Sequence, residues 1–123
     1  HLLGYLDDEQ LSKVLGAALA LTYPSLFEGF GVPLLEAMHA EVPILTSDSS
    51  SLPEVAGNAA LLIKPEDIGS ISEAMQALYN APATRNSLVE KGRLQRQKFS
   101  WEKAASVVWD NILQAHKQTK NFD

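Results

Sequence analysis

The sequence predicts an α/β fold, a parallel sheet with flanking helices. Three observations predict it. Four short apolar runs have strand length: "HLLGYL" (1–6), "ALALTY" (18–23), "VPILTS" (42–47) and "AALLIK" (59–64). Helical patterns separate them in the first half, which implies βαβ units and a buried parallel sheet. Pro24, Gly29, Gly31, Pro33, Pro53 and Gly57 then fall between the periodic segments, where loops belong.

Taken in order, the first strand is expected near 2–6. Asp7 or Asp8 can cap a helix running to about Ala18, with Leu11, Val14, Leu15 and Ala18 on one face. Strands follow near 19–23, 43–47 and 60–63, giving a four-stranded parallel sheet. The second half reads as helical. One helix from Asp67 to about Asn80 places Ile68, Ile71, Met75 and Leu78 together. Another is expected from about Pro82 to Lys98. A last helix starts near Ser100, which can cap it, with Glu102 in its first turn. Trp101, Ala105, Val108, Trp109 and Ile112 form its apolar stripe, and the two tryptophans are expected in the core. The tail "KQTKNFD" is expected to fray.

The bulk numbers bound the function. A chain of 123 residues is read as one domain over 1–123. It can bury roughly 65% of its unfolded surface. With 46% hydrophobic and 20% charged residues, it is not of the disordered class. The absence of cysteine excludes disulfide and thiolate chemistry. No apolar run approaches the roughly 18 residues that span a bilayer. The chain opens on His1 rather than Met and reads as a piece of a longer protein. Residues 1–63 hold one cation, Lys13, against eight carboxylates, and the net charge is −5. That balance argues against nucleic acid as a partner.

The densest cluster of chemical signals is "FEGFGVPLLE" (27–36). A residue before proline avoids the α region, and proline favours the first helical position. The helix is therefore expected to begin at Pro33 and leave Val32 outside. Glu28 then lies in the preceding loop and Glu36 in the first turn or just beyond. Helical side chains lean toward the N-terminus, so Glu36 reaches back toward the mouth that Glu28 lines. In open α/β sheets, ligands bind beyond the carboxyl ends of the strands. Helix N-termini attract phosphate, and Gly29 and Gly31 let backbone approach a ligand closely. Carboxylates accept hydrogen bonds from a sugar diol. Singly, each glutamate reads as a solvated carboxylate; together, the set points to a nucleotide-sugar.

"YPSLFEGFGVPLLEAM" resembles the signature of the retaining glycosyltransferases of family 4, which have the GT-B fold. The resemblance extends over about residues 3–78, through "GYLDDEQLSKVLGAALALTYPS" and "VPILTSDSSSLPEVAGNAALLIKPED", with a weaker echo in "FSWEKAA". It implies a Rossmann-like part of the C-terminal, donor-binding half of that fold. It also implies that Glu28 contacts donor-sugar hydroxyls and stabilises charge as the catalytic residue. Glu36 would hold the ribose. The Gly29–Phe30–Gly31 backbone would face sugar and diphosphate, and the Leu35 amide would lie near the diphosphate. The implied donor is a UDP- or GDP-linked sugar, with no further cofactor and no metal. The acceptor is a glycan, a lipid-linked sugar or a small molecule.

One departure concerns Glu41, where the family commonly has a glycine. Glu41 must either take a left-handed turn at a cost or end the helix differently. The N-terminal acceptor domain and the cations that grip the diphosphate are expected outside this chain. The parent is expected to be cytoplasmic, with peripheral membrane association at the inner face allowed. The isolated chain is expected to be inactive, to bind donor weakly and to form a homo-oligomer through an uncovered sheet edge.

Other candidates carry less. His1, His39 and His116 lack metal-ligand spacing. "SDSSSLPE" (47–54) reads as a turn with Ser50 or Ser51 capping "LPEV", ahead of a serine nucleophile. A sugar-stacking role for the tryptophans ranks below core packing. "EKGRLQRQK" (90–98) reads as a solvated helix face. The alternative from another class is a non-catalytic interaction module or pseudoenzyme derived from a glycosyltransferase half.

Overall fold

A computed structural model describes residues 1–119 of the chain. Its elements are α1 (Asp8–Gly16), β1 (Leu21–Tyr23), α2 (Val32–His39), β2 (Ile44–Ser47), α3 (Leu52–Ala56), β3 (Ala60–Ile63), α4 (Ile68–Asn80), α5 (Pro82–Gln95) and α6 (Trp101–Thr119), with a 3₁₀ turn at Arg96–Lys98. The strands form one parallel sheet in the order β1-β2-β3. Leu21 pairs with Ile44 and Tyr23 with Thr46, while Ile44 pairs with Ala60 and Ser47 with Ile63.

The parallel α/β class holds, with three strands in place of four. Residues 2–6 form no strand. Gly4 sits at φ +66, outside the extended region, and Leu2 and Tyr5 are fully or almost fully exposed. The apolar run there has the composition of a strand without a strand's backbone.

β2 is buried on both faces, as a central parallel strand should be. Its residues alternate between two cores. Ile44 joins Leu34, Ala37 and Met38 of α2 and Leu52, Val55 and Ala56 of α3. Leu45 joins Ile63, Leu78 of α4 and Leu88 of α5. On α4 the inward face is Ile71, Ala74 and Leu78; Ile68 and Met75 are exposed. The expected stripe was displaced because Ala74 occupies the position facing the sheet.

α1 has the expected cap. Asp7 accepts from the Gln10 amide at 2.8 Å, and Gln10 Oε1 accepts from the Asp7 amide at 3.2 Å. α6 is likewise capped by Ser100, whose Oγ accepts from the Lys103 amide at 3.2 Å. The expected core role of α6 does not hold. Residues 101–118 are all exposed, including Trp101, Val108, Trp109 and Ile112. Of the tail expected to fray, Lys117–Thr119 belong to α6 and 120–123 lie outside the described residues.

The run "EKGRLQRQK" is solvated on one side, where Glu90, Lys91, Leu94, Gln97 and Lys98 are exposed, and is a packing seam on the other. Gly92 is buried, and a Cβ there would lie 3.4 Å from Met38 Cγ. Gln95 is buried and donates to the carbonyls of Glu54 and Val55 at 3.3 and 3.0 Å. Arg96 donates to the Met38 and His39 carbonyls at the end of α2. Arg85 does the same for α4 through Leu78 and Tyr79. Helices end with unsatisfied carbonyls, and these arginines supply the missing donors.

Candidate functional site

Two loops leave the carboxyl ends of adjacent parallel strands. Residues 24–31 follow β1, and residues 48–51 follow β2. Three consecutive serines stitch them together. Ser49 Oγ donates to the Leu26 carbonyl at 3.2 Å. Ser50 Oγ accepts from the Glu28 amide at 3.1 Å. Ser51 Oγ donates to the carbonyls of Glu28 and Phe30 at 3.0 and 2.8 Å. Ser51 occupies the cap position of α3 but makes no capping bond, so its hydroxyl serves the other loop instead. The expectation of a serine cap is corrected accordingly. Ser50 takes a positive φ of 54°, an uncommon conformation for a residue with a side chain.

Glu28 is fixed at both its backbone and its side chain. Its Oε1 accepts from the Tyr23 hydroxyl at 2.5 Å. This bond holds the Glu28 carboxyl below the ordinary carboxylate range, with Ser25 adding to the effect. The same bond, with burial and the nearby negative charge, pushes the Tyr23 phenol up. At neutral pH the pair is therefore a phenol donating to a carboxylate. Tyr23 was not among the expected site residues. It stands five residues before Glu28 at the end of a strand, a spacing with no motif to mark it.

Gly31 is required by the backbone. Its φ is +113°, and a Cβ there would come within 2.8 Å of Leu52 Cδ2. It precedes α2 directly, so the helix starts at Val32, one residue before the proline expected to open it. Glycine's freedom in this one position sets the entry angle that lets Val32 join the helix. Gly29 has no such reason, since a Cβ there would meet nothing within 4 Å. Phe30 is partly exposed and packs edge-on against Phe99, with ring centroids 5.7 Å apart.

Glu36 lies on the exposed side of α2. It lines a cleft of about 320 Å³ between α1 and α2, with Asp8, Leu11, Ser12, Leu15, His39 and Ala40. Glu28 is not among the residues lining that cleft. Among the described residues no hydrogen bond joins the two glutamates. Leu35 is half-buried against the α2–α3 core, and its carbonyl meets His39 Nδ1 at 2.8 Å. Lys13, the sole cation of residues 1–63, is paired with Glu9 at 2.5 Å.

Glu41 resolves the departure noted in the sequence. It adopts the left-handed turn itself, at φ +58°. Its carboxylate is gripped by Arg93 of α5 through Nε at 2.8 Å and Nη2 at 2.6 Å. Those bonds to Arg93 hold the Glu41 carboxyl below the ordinary range. Glu90 accepts from the same guanidinium at 2.5 Å.

Known proteins resemble the chain along most of its length. The family model of the glycosyl transferases group 1 matches residues 1–95. O-antigen chain mannosyltransferase B of Escherichia coli is 42% identical over 100 residues, covering 81% of this chain and 26% of that protein. The MMP alpha-(1->4)-mannosyltransferase of Mycolicibacterium hassiacum is 34% identical over 110 residues, covering 86% of this chain and 27% of that protein. The structure of a sucrose-phosphate synthase from Thermosynechococcus elongatus superimposes with a TM-score of 0.81 at 28% identity, over 94% of this chain and 30% of that one. The chain thus spans about a quarter of the length of these curated relatives. Among the described residues no helix is long and apolar enough to cross a membrane. The parallel sheet, the loops at its carboxyl edge and these matches agree: the chain belongs to the glycosyl transferases group 1 family and forms part of a GT-B fold.

Proposed function

We propose that the chain is the donor-binding part of a retaining glycosyltransferase that takes a nucleotide-diphosphate sugar, UDP- or GDP-linked. The observation that carries the reading is Glu28. It is an ionised carboxylate held by Tyr23 and Ser50 in a loop at the carboxyl end of a parallel sheet, where ligands of open α/β folds bind. Glu28 contacts the donor-sugar hydroxyls and stabilises positive charge developing at the transferred carbon. Glu36 accepts from the ribose hydroxyls across the α1–α2 cleft. Gly29 has no internal packing role, and its bare backbone suits close approach of the sugar or diphosphate. Gly31, Phe30 and the Leu35 amide line the same approach at the head of α2, whose first turn carries no side-chain cap.

The leaving diphosphate needs cations, and residues 1–63 hold only Lys13. Lys13 is engaged by Glu9. The phosphate-gripping cations, like the acceptor domain, therefore belong to the remainder of a longer protein, in keeping with the share of its relatives that the chain spans. The mannosyltransferase names among the relatives favour a mannose donor for polysaccharide assembly.

The test is Glu28→Gln in the full-length protein with radiolabelled donor. Turnover is expected to fall by roughly two to three powers of ten, the scale of losing one preorganised electrostatic contact. Turnover at the wild-type level sinks the assignment.

A further inference from the structure

Glu28 sits on an irregular loop, yet its carboxylate is tied to the most ordered part of the molecule. Tyr23 is the last residue of β1 and pairs in register with Thr46. Its carbonyl accepts from Thr46 Oγ1 at 3.0 Å, and Thr46 is fully buried. Its ring packs against the core between the sheet, α2 and α3. The phenol hydroxyl is therefore delivered by a rigid element to Glu28 Oε1 at 2.5 Å, a length typical of a hydroxyl donating to a charged acceptor.

We propose that Tyr23 is a positioning residue for Glu28 and that Ser50 anchors the backbone beneath it, so that one carboxylate oxygen is fixed and the other is presented to the donor sugar. This deepens the reading of Glu28 given above and rests on it. A carboxylate offers two oxygens with about four acceptor sites. The Tyr23 bond uses one oxygen and sets the plane of the group. Ser50 Oγ, accepting from the Glu28 amide, fixes the Cα from which that plane is reached. Without the phenol, the Glu28 carboxylate keeps only the lesser Ser25 contact on its own loop. Sites work when their reacting groups are held to within about half an ångström by a supporting shell. The groups facing Glu28 are the Tyr23 phenol from β1, the Ser25 hydroxyl of its own loop, and Ser50 and Ser51 from the loop after β2. Tyr23 is the titratable one among them. Removing its hydroxyl while keeping its ring isolates the positioning role from packing.

The experiment has two arms. In the first, the carboxyl ¹³C resonance of Glu28 is titrated by NMR in the 123-residue chain and in its Tyr23→Phe variant. The expected result is an upward shift of the Glu28 midpoint toward the ordinary carboxylate value in Y23F, with Ser50→Ala shifting it less. An identical midpoint in wild type and Y23F overturns the proposal. In the second arm, Y23F is assayed in the full-length protein. Its kcat is expected to fall roughly tenfold, as for a small misplacement of a reacting group, with donor KM changed by less than about twofold and the acid limb of the pH profile moved upward. Unchanged kcat and an unmoved acid limb overturn it. Failure of the underlying reading is separable. If Glu28→Gln keeps wild-type turnover, Glu28 is not the donor contact, while the titration still reports whether Tyr23 holds it.

Discussion

Helices α2 and α6 both carry apolar side chains and end in opposite states. α2 buries Leu34, Ala37 and Met38 almost completely. α6 leaves Trp101, Val108, Trp109 and Ile112 each more than half exposed. α2 is apolar through most of its length, whereas α6 sets charged and polar residues between its apolar ones. α2 is enclosed by β2, by α3 and by the Gly92 notch of α5, which admits Met38. α6 departs beyond the 3₁₀ turn at Arg96–Lys98, past the elements that wrap the sheet. A 3.6-residue pattern states which face of a helix is apolar; a facing surface decides whether that face is buried.

The contrast is most easily broken by truncation in the two helices. Leu34→Ala should destabilise the chain by about 2–5 kcal/mol, the range for a fully buried leucine. Val108→Ala should change stability by less than about 0.5 kcal/mol, as at an exposed position. Urea unfolding followed by circular dichroism measures both. A Val108→Ala cost approaching that of Leu34→Ala would show that α6 is covered in solution and that the two helices are alike after all.

The same contrast explains how much the sequence disclosed. Three of four strands were legible because β1, β2 and β3 have apolar runs and lie where βαβ order demands. The run at 2–6 misled because Gly4 turns the backbone at φ +66, a conformation that an apolar run does not announce. Glu28, Gly31 and Glu36 were singled out through the motif, but the proline geometry did not bring the two glutamates together: Glu36 lines a cleft that does not include Glu28. Tyr23 was not legible, because its five-residue spacing to Glu28 marks no motif, and the serines at 49–51 were not, because their roles depend on two loops meeting across parallel strands about 22 residues apart in sequence. Arg93, Arg96 and Gln95 were hidden in a charged run for the same reason. Their partners lie on α2, on α3 and in the turn that follows α2, 40 to 58 residues away.

Within the packed block, the two motif glycines sharpen the comparison at a smaller scale. Gly31→Ala forces a side chain into a positive-φ position and against Leu52, 2.8 Å away. Strain and overpacking together should cost about 2–3 kcal/mol. Gly29→Ala meets open space and should stay within about 0.5 kcal/mol. The same unfolding measurement separates them, and equal costs would remove the distinction between a structural glycine and one left bare for a ligand.

The smallest expected effect asks whether the rim of the packed block relies on charge or on backbone. Glu41 closes α2 in a left-handed turn that glycine would adopt without strain. Arg93 offsets that strain by binding the carboxylate twice, although both side chains are half-exposed and the pair is screened by water. The sign of the pH dependence follows from the lowered Glu41 carboxyl. A group whose folded value is depressed adds stability above the ordinary carboxylate range and loses it as pH falls through its folded value. In acid, wild type keeps the strained turn without the ion pair. Glu41→Gly has neither at any pH. The variant should therefore melt close to wild type at pH 7, and its advantage should grow to roughly 3–6 °C as pH falls toward about 3. The difference should develop as pH falls through the lowered folded value of Glu41 and be complete below it. Differential scanning calorimetry from pH 3 to 7 measures the two curves. A Tm difference that is constant with pH would mean that the Glu41–Arg93 pair contributes nothing to the fold. A difference that shrinks in acid would mean that the turn itself carries no strain.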